Sequence, residues 1–176
     1  MDIIDVTKAI YDGMQVYPGD PKVKIKSAKS LKKDGYRFSE ISMGLHAGTH
    51  IDAPAHFLKR GKAIDATKPI LGSARVVEGK IVQGCLAKGE IPIVKGRKSI
   101  TEGEAELIAN CGIPAVGIGS LSIGSPEVHK KLLSKGVLII EGLDLSRAKP
   151  GKCQIICLPM KIRGAEAAPA RCLLVS

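Results

Sequence analysis

The run His46-Ala47-Gly48-Thr49-His50-Ile51-Asp52-Ala53-Pro54-Ala55-His56 holds three of the chain's four histidines and an aspartate within eleven residues. It narrows the local fold severely. Two histidines at i and i+4 would share one face of a helix. Yet Gly44, Gly48 and Pro54 punctuate the segment, and both residue types weaken a continuous helix. His46, His50, Asp52 and His56 have one parity, so an extended chain points all four to the same side. Gly48 suits a tight turn, and Pro54 fixes the exit of a loop. The expected geometry is a strand running into a shaped loop.

That geometry has chemical content. His46, His50 and Asp52 offer two imidazole nitrogens and a carboxylate, a set that Zn²⁺ or Mn²⁺ accepts while keeping an open position. In the helical metalloprotease pattern a glutamate follows the first histidine; here that residue is Ala47, so the pattern does not apply. His56 remains for proton transfer, because imidazole titrates near neutral pH. Together the residues read as a hydrolytic metal site.

A chain of 176 residues suits one domain over 1–176 with a sizeable core. Aromatic residues make up only 3% and Trp is absent, so that core must be aliphatic. No run approaches the ~18 apolar residues of a membrane span. The opening Met1-Asp2-Ile3-Ile4-Asp5 lacks the basic region of a secretion signal. A cytoplasmic location is expected. The five cysteines (Cys85, Cys111, Cys153, Cys157 and Cys172) are odd in number and have no Cys-x-x-Cys spacing. Reduced thiols are expected, with Cys153 and Cys157 packing as small hydrophobes.

The formal charge of +10 invites a nucleic-acid partner. The cations are scattered, however, as at Lys22, Lys24, Lys26 and Lys29, and only five aromatic residues exist to stack on bases. A solvated lysine-rich surface that steers an anionic substrate is the reading adopted, without nucleic acid or membrane as partner.

Asp2 to Val6 reads as a short strand. Lys22 to Lys29 alternates lysines with Val23, Ile25 and Ser27, the period of a half-buried strand, and Tyr36 to Met43 alternates likewise. Ser73 to Val82 is rich in β-branched residues. Thr101 and Glu104 form a capping box ahead of a helix over about 102–111, and Ser125-Pro126-Glu127 opens another over about 126–135. Ala115 to Gly119, Val137 to Ile140, Gln154 to Leu158 and Cys172 to Val175 complete the strands. The outcome is an α/β domain with a mixed sheet. His129, on the second helix, reads as a surface or interface residue.

The His46 to His56 run resembles the His-x-Gly-Thr-His-x-Asp-x-Pro-x-His signature of the cyclase and kynurenine formamidase family of metal-dependent hydrolases. The likeness extends to Tyr17-Pro18-Gly19-Asp20-Pro21, Leu158-Pro159, Gly164-Ala165-Glu166 and Pro169-Ala170-Arg171. It implies a swivelling β/β/α fold with a barrel-like mixed sheet and flanking helices, and a dimer or higher homo-oligomer. It implies His46, His50 and Asp52 as ligands of one or two divalent ions, Zn or Mn, and His56 as the proton-transfer residue. Glu166 takes the place of a carboxylate at the metals. Gln154, twelve residues earlier, takes that of a second-metal histidine, a glutamine resembling the isatin hydrolases. Tyr17 stands where formamidases stack a Trp on the substrate ring. The activity implied is hydrolysis of a small amide or cyclic amide, such as an aromatic formamide or an isatin-like lactam. The alternatives are a metal-dependent cyclase or dehydratase on a small ring, and a non-enzymatic basic binding protein.

Overall fold

Apolar strands buried on both faces need helices to cover them and long crossovers to connect them. The middle of this chain supplies both. The computed structural model describes residues 2–84 and 87–176, so Cys85 lies outside the described residues. In chain order the elements are β1 (Ile3–Asp5), β2 (Lys24–Lys29), the single-turn helix α1 (Leu31–Asp34), β3 (Phe38–Ser42), β4 (His50–Asp52), β5 (Ile70–Glu78) and β6 (Ile91–Lys95). There follow α2 (Glu102–Asn110), β7 (Ala115–Ile118), α3 (Pro126–Ser134), β8 (Leu138–Glu141), β9 (Gly151–Pro159) and β10 (Ala167–Val175).

Strands β5, β6, β7 and β8 are parallel neighbours, with α2 and α3 as crossovers. Antiparallel β4, β10 and β9 continue the sheet, and β9 pairs back onto β5. The ring β10-β4-β8-β7-β6-β5-β9 is therefore a closed mixed barrel, with β1 added along the later part of β10. This is the α/β architecture expected from the sequence. Its interior is aliphatic, built on Ile51, Ile91, Ile93, Ile140, Ile155 and Leu174, with Cys157 and Cys172 packed among them. A second cluster lies between the sheet and the helices, where Val116, Ile118 and Ile139 meet Ile108, Leu132 and Leu133. The four described cysteines are free thiols. No helix among the described residues is long and apolar enough to cross a membrane.

The helices start where their caps direct. Thr101 Oγ1 accepts from the Glu104 amide while Glu104 reaches back to the Thr101 amide, and Ser125 caps α3 ahead of Pro126. Two expectations change. β6 has no counterpart among the expected strands, since the short apolar run Ile91 to Lys95 carries no alternation. The alternating β2 and β3 are not half-buried: they pair only with each other, and every residue in both is exposed.

Candidate metal centre

β4 lies between β8 and β10, with His50 opposite Glu141 on one side and Pro169 on the other, and Asp52 opposite Ala167. Side chains alternate along a strand. Ile51 therefore enters the barrel core, while His50 and Asp52 share the outward face with Glu141. That face is covered by α3, whose buried His129 reaches Glu141. Two glycines let the pieces approach. Gly48 has φ 71°, a left-handed conformation that turns the chain between His46 and His50. Gly142 has φ 67° and sits so close to the Gly48 carbonyl that a Cβ there would lie 2.2 Å from its oxygen. Thr49 Oγ1 fastens the same junction, donating to the Gly142 carbonyl at 2.6 Å and accepting from the Lys8 amide at 2.9 Å.

The result is a cluster of imidazoles and carboxylates. Asp52 Oδ1 lies 3.0 Å from His46 Nδ1 and 3.5 Å from His50 Nε2. Asp52 Oδ2 lies 3.7 Å from His129 Nε2. Glu141 Oε1 is 3.1 Å from His129 Nε2 and accepts from the Ile123 amide at 2.6 Å, while Oε2 is 3.4 Å from His50 Nε2. His50 Nδ1 faces the Gly48 carbonyl at 3.1 Å, and His129 Nδ1 faces the Ser125 carbonyl at 2.9 Å. A proton on each Nδ1 leaves both Nε2 lone pairs aimed into the cluster. The His56 ring stacks at 4.3 Å from His46 and 4.4 Å from Phe57, centroid to centroid. Among the described residues it is the one histidine without a carboxylate within ion-pair distance.

Electrostatics follow from these neighbours. Burial pushes the Glu141 carboxyl up, but hydrogen bonds and charge from His129 and His50 outweigh it and hold the group at about 2. Burial lowers the His46, His50 and His129 imidazoles, and the surrounding carboxylates more than reverse that, leaving all three raised. For His56 the balance falls the other way: burial lowers it, the attraction of Asp52 and Glu141 offsets this only in part, and the charges of His46 and His129 lower it further.

Asp52 is 0% exposed, and both its oxygens, together with His50 Nε2, are buried without a hydrogen-bond partner. A buried carboxylate with no donor costs several kcal/mol (order of magnitude) unless a cation neutralises it. The donor set fits a divalent ion. His46, His50 and Asp52 place ligand atoms within 4.8 Å of one another, and Asp52, His129 and Glu141 do the same. Asp52 belongs to both groups, so two adjacent cation positions would share its carboxylate.

Of the residues singled out in the sequence, His46, His50, Asp52 and His56 come together here. Glu166 joins them at the margin, with Oε1 3.4 Å from His46 Nε2 and the side chain 42% exposed. Tyr17 lines a cavity of about 290 Å³ with His46, His56, Phe57 and Leu121. Gln154 must be corrected. It is exposed on β9 opposite Val175, and its amide nitrogen donates to Ser73 Oγ. Asp52 is opposite Ala167, and eight residues of β10 separate Ala167 from Val175. At ~3.3 Å per residue that is roughly 26 Å along the strand, too far for a ligand. His129 must be corrected in the opposite sense, since it is buried in the cluster. The interval of twelve expected between a second histidine and a carboxylate is present as His129 and Glu141. That spacing is the signal the sequence offers, and Gln154 and Glu166 share it.

A family model described as "Putative cyclase" matches residues 4–91. Kynurenine formamidase from Salinibacter ruber is 27% identical, covering 99% of this chain and 97% of its own. A structure titled as a predicted metal-dependent hydrolase from Bacillus stearothermophilus is 31% identical, covers 98% of this chain and 97% of its own, and superposes with a TM-score of 0.82. Isatin hydrolase A from Labrenzia aggregata shares the fold, with a TM-score of 0.85 at 17% identity over 98% of this chain and 93% of its own. The chain belongs to the cyclase family.

Proposed function

We propose that this chain is a metal-dependent hydrolase of small amides or cyclic amides, arylformamidase-like or isatin hydrolase-like in reaction. The observation that carries the reading is the buried Asp52 carboxylate without a hydrogen-bond donor, flanked by imidazole nitrogens. The kynurenine formamidase relative supports the substrate class. His46, His50 and Asp52 would hold one divalent ion, Zn or Mn, and Asp52, His129 and Glu141 a second. A bound ion supplies Lewis-acid polarisation of a carbonyl and a water of lowered pKa.

The chain's own groups do the rest. The second carboxylate, Glu141, is fixed by the Ile123 amide, and the Gly48 and Ser125 carbonyls orient the His50 and His129 rings through their Nδ1 atoms. His56 lines the cavity and carries no ion pair, which frees it to take a proton from water and return it to the leaving nitrogen. Phe57 and Leu121 give that cavity apolar walls, and Tyr17 offers an aromatic face at its edge. Its volume of about 290 Å³ is at the small end for ligand sites, which favours a single-ring substrate.

The test is a panel of formanilides, isatin and cyclic imides, assayed on chelated protein reloaded with Zn²⁺ or Mn²⁺. Metal-restored hydrolysis of an aromatic formamide or lactam is expected. Stoichiometric metal uptake with no turnover of any member of the panel would sink the reading.

A further inference from the structure

β9 and β10 are consecutive strands, and they carry two fully buried thiols opposite each other, Cys157 facing Cys172. An antiparallel ladder alternates two kinds of residue pair, and the backbone settles which kind this one is. The Cys172 amide donates to Thr7 Oγ1 at 2.9 Å, and its carbonyl accepts from the Val6 amide at 3.0 Å and from Thr7 Oγ1 at 3.1 Å. Both backbone groups therefore point away from β9. Cys157 and Cys172 form a non-hydrogen-bonded pair, in which Cα atoms stand ~4.5 Å apart and side chains come close. That spacing lies inside the ~4.4–6.8 Å over which a disulfide joins two residues. Both side chains enter one aliphatic cluster, so they share a face of the hairpin. The two thiols are within hydrogen-bonding reach. Cys153, on the same face of β9, lies four residues from Cys157, ~13 Å along the strand.

We infer that Cys157 and Cys172 are an oxidisable pair: reduced in this structure, they are joined by a small disulfide oxidant while the hairpin is open, and the closed barrel then seals the bond. The exchange balances in two steps. One protein thiolate attacks glutathione disulfide and releases one glutathione, and the second displaces the other. The protein thiols are oxidised, the glutathione disulfide is reduced, and the two thiol protons end on the released glutathiones. Closure protects either state. Thiolate, not thiol, performs the exchange, and in the closed barrel the hydrogen bond with Cys157 and burial both hold the Cys172 thiol up. Neither residue meets solvent. The bond also bears on the fold. β10 pairs with His50–Asp52 through its first residues and with β9 through its later ones, so the link ties down the strand that closes the ring. It joins residues fifteen apart in sequence, which restricts the unfolded chain and favours the folded one.

The test starts from reduced protein unfolded in urea and diluted into a glutathione redox buffer, then blocked with iodoacetamide and cut with trypsin. Mass spectrometry should show the peptide from Cys153 to Lys161 joined to the peptide from Cys172 to Ser176, with fragmentation placing the bond at Cys157. Folded, reduced protein in the same buffer should link more slowly. The linked protein should melt roughly 6–12 °C above the reduced protein, as expected for a loop of this length in a chain of this size. Cys157→Ala should abolish both the link and the shift in melting temperature, and Cys153→Ala should keep both. The wild-type peptide map decides the matter if either variant does not fold. Alkylation of both Cys157 and Cys172 after refolding overturns the inference. So does a bond placed at Cys85, Cys111 or Cys153, linking at equal rates from open and folded protein, or a linked form that melts no higher than the reduced one. None of these readings depends on catalysis.

Discussion

Glu104 and Asp52 are both buried carboxylates, and the chain treats them in opposite ways. Glu104 closes the first turn of α2 with every lone pair occupied. Its Oε1 accepts from the Ile81 amide at 2.9 Å, and its Oε2 accepts from the Thr101 amide at 2.8 Å and Arg97 Nη2 at 2.9 Å. Hydrogen bonds from Arg97 lead the effects that hold its carboxyl at about 2. Asp52 has no amide, hydroxyl or guanidinium donor; its oxygens face imidazole nitrogens alone, the nearest being His46 Nδ1 at 3.0 Å. A complete set of partners marks a group that stabilises the fold, and an incomplete one marks a group kept for something the chain alone does not supply.

The sharpest way to break that contrast is at the incomplete centre. His50→Ala should abolish both metal content and hydrolysis, since sites with few protein ligands seldom survive the loss of an imidazole. Full occupancy by elemental analysis in that variant would remove His50 from the ligand set. His56→Ala should keep its metal while the rate falls by about 10²–10⁴-fold, the usual worth of acid–base catalysis. Metal loss in step with the rate would make His56 a ligand instead.

Smaller effects distinguish the two carboxylates directly. In chelated protein, at a pH where His46, His50 and His129 are neutral, Asp52→Asn removes a buried charge that no cation meets and should raise the melting temperature. Glu104→Gln breaks a satisfied network and should cost about 1–3 kcal/mol, a fall of roughly 2–12 °C for a chain of this size. Shifts of the same sign in calorimetry would end the comparison. The pH dependence has a definite sign. The folded Glu104 carboxyl is depressed from 4.5 to about 2, so its contribution is complete above pH 4.5 and is lost as the pH falls toward 2. The stability gap between wild type and Glu104→Gln, measured by urea unfolding of chelated protein, should therefore be full near neutral pH and narrow below pH 4.5. Least of all should come from Gln154→Ala, which on this geometry leaves metal content and rate unchanged.

What the sequence disclosed follows the range of the physics. The His46 to His56 segment was legible because its parity, glycine and proline act locally, and so was the Thr101–Glu104 capping box. Glu141 and His129 were not, because they meet β4 only through the β4–β8 register and the packing of α3. The exposure of β2 and β3 was illegible for a related reason. Alternation at Ile25 and Ile41 says that a strand has two unlike faces, not which surface covers them.

The position of β10 has a further consequence, in time rather than in space. It is synthesised after every other strand, yet its first residues pair with β4 and its later ones with β9 and β1. At ~5–20 residues per second, the 115 residues from Asp52 to Ala167 take roughly 6–23 s to emerge from a ribosome. Throughout that interval the nascent chain displays the imidazoles and carboxylate of β4 without the barrel that orders them. Any ion taken up then would be held by loose peptide alone, and the arrangement that could discriminate between cations is complete only once β10 has paired with β4.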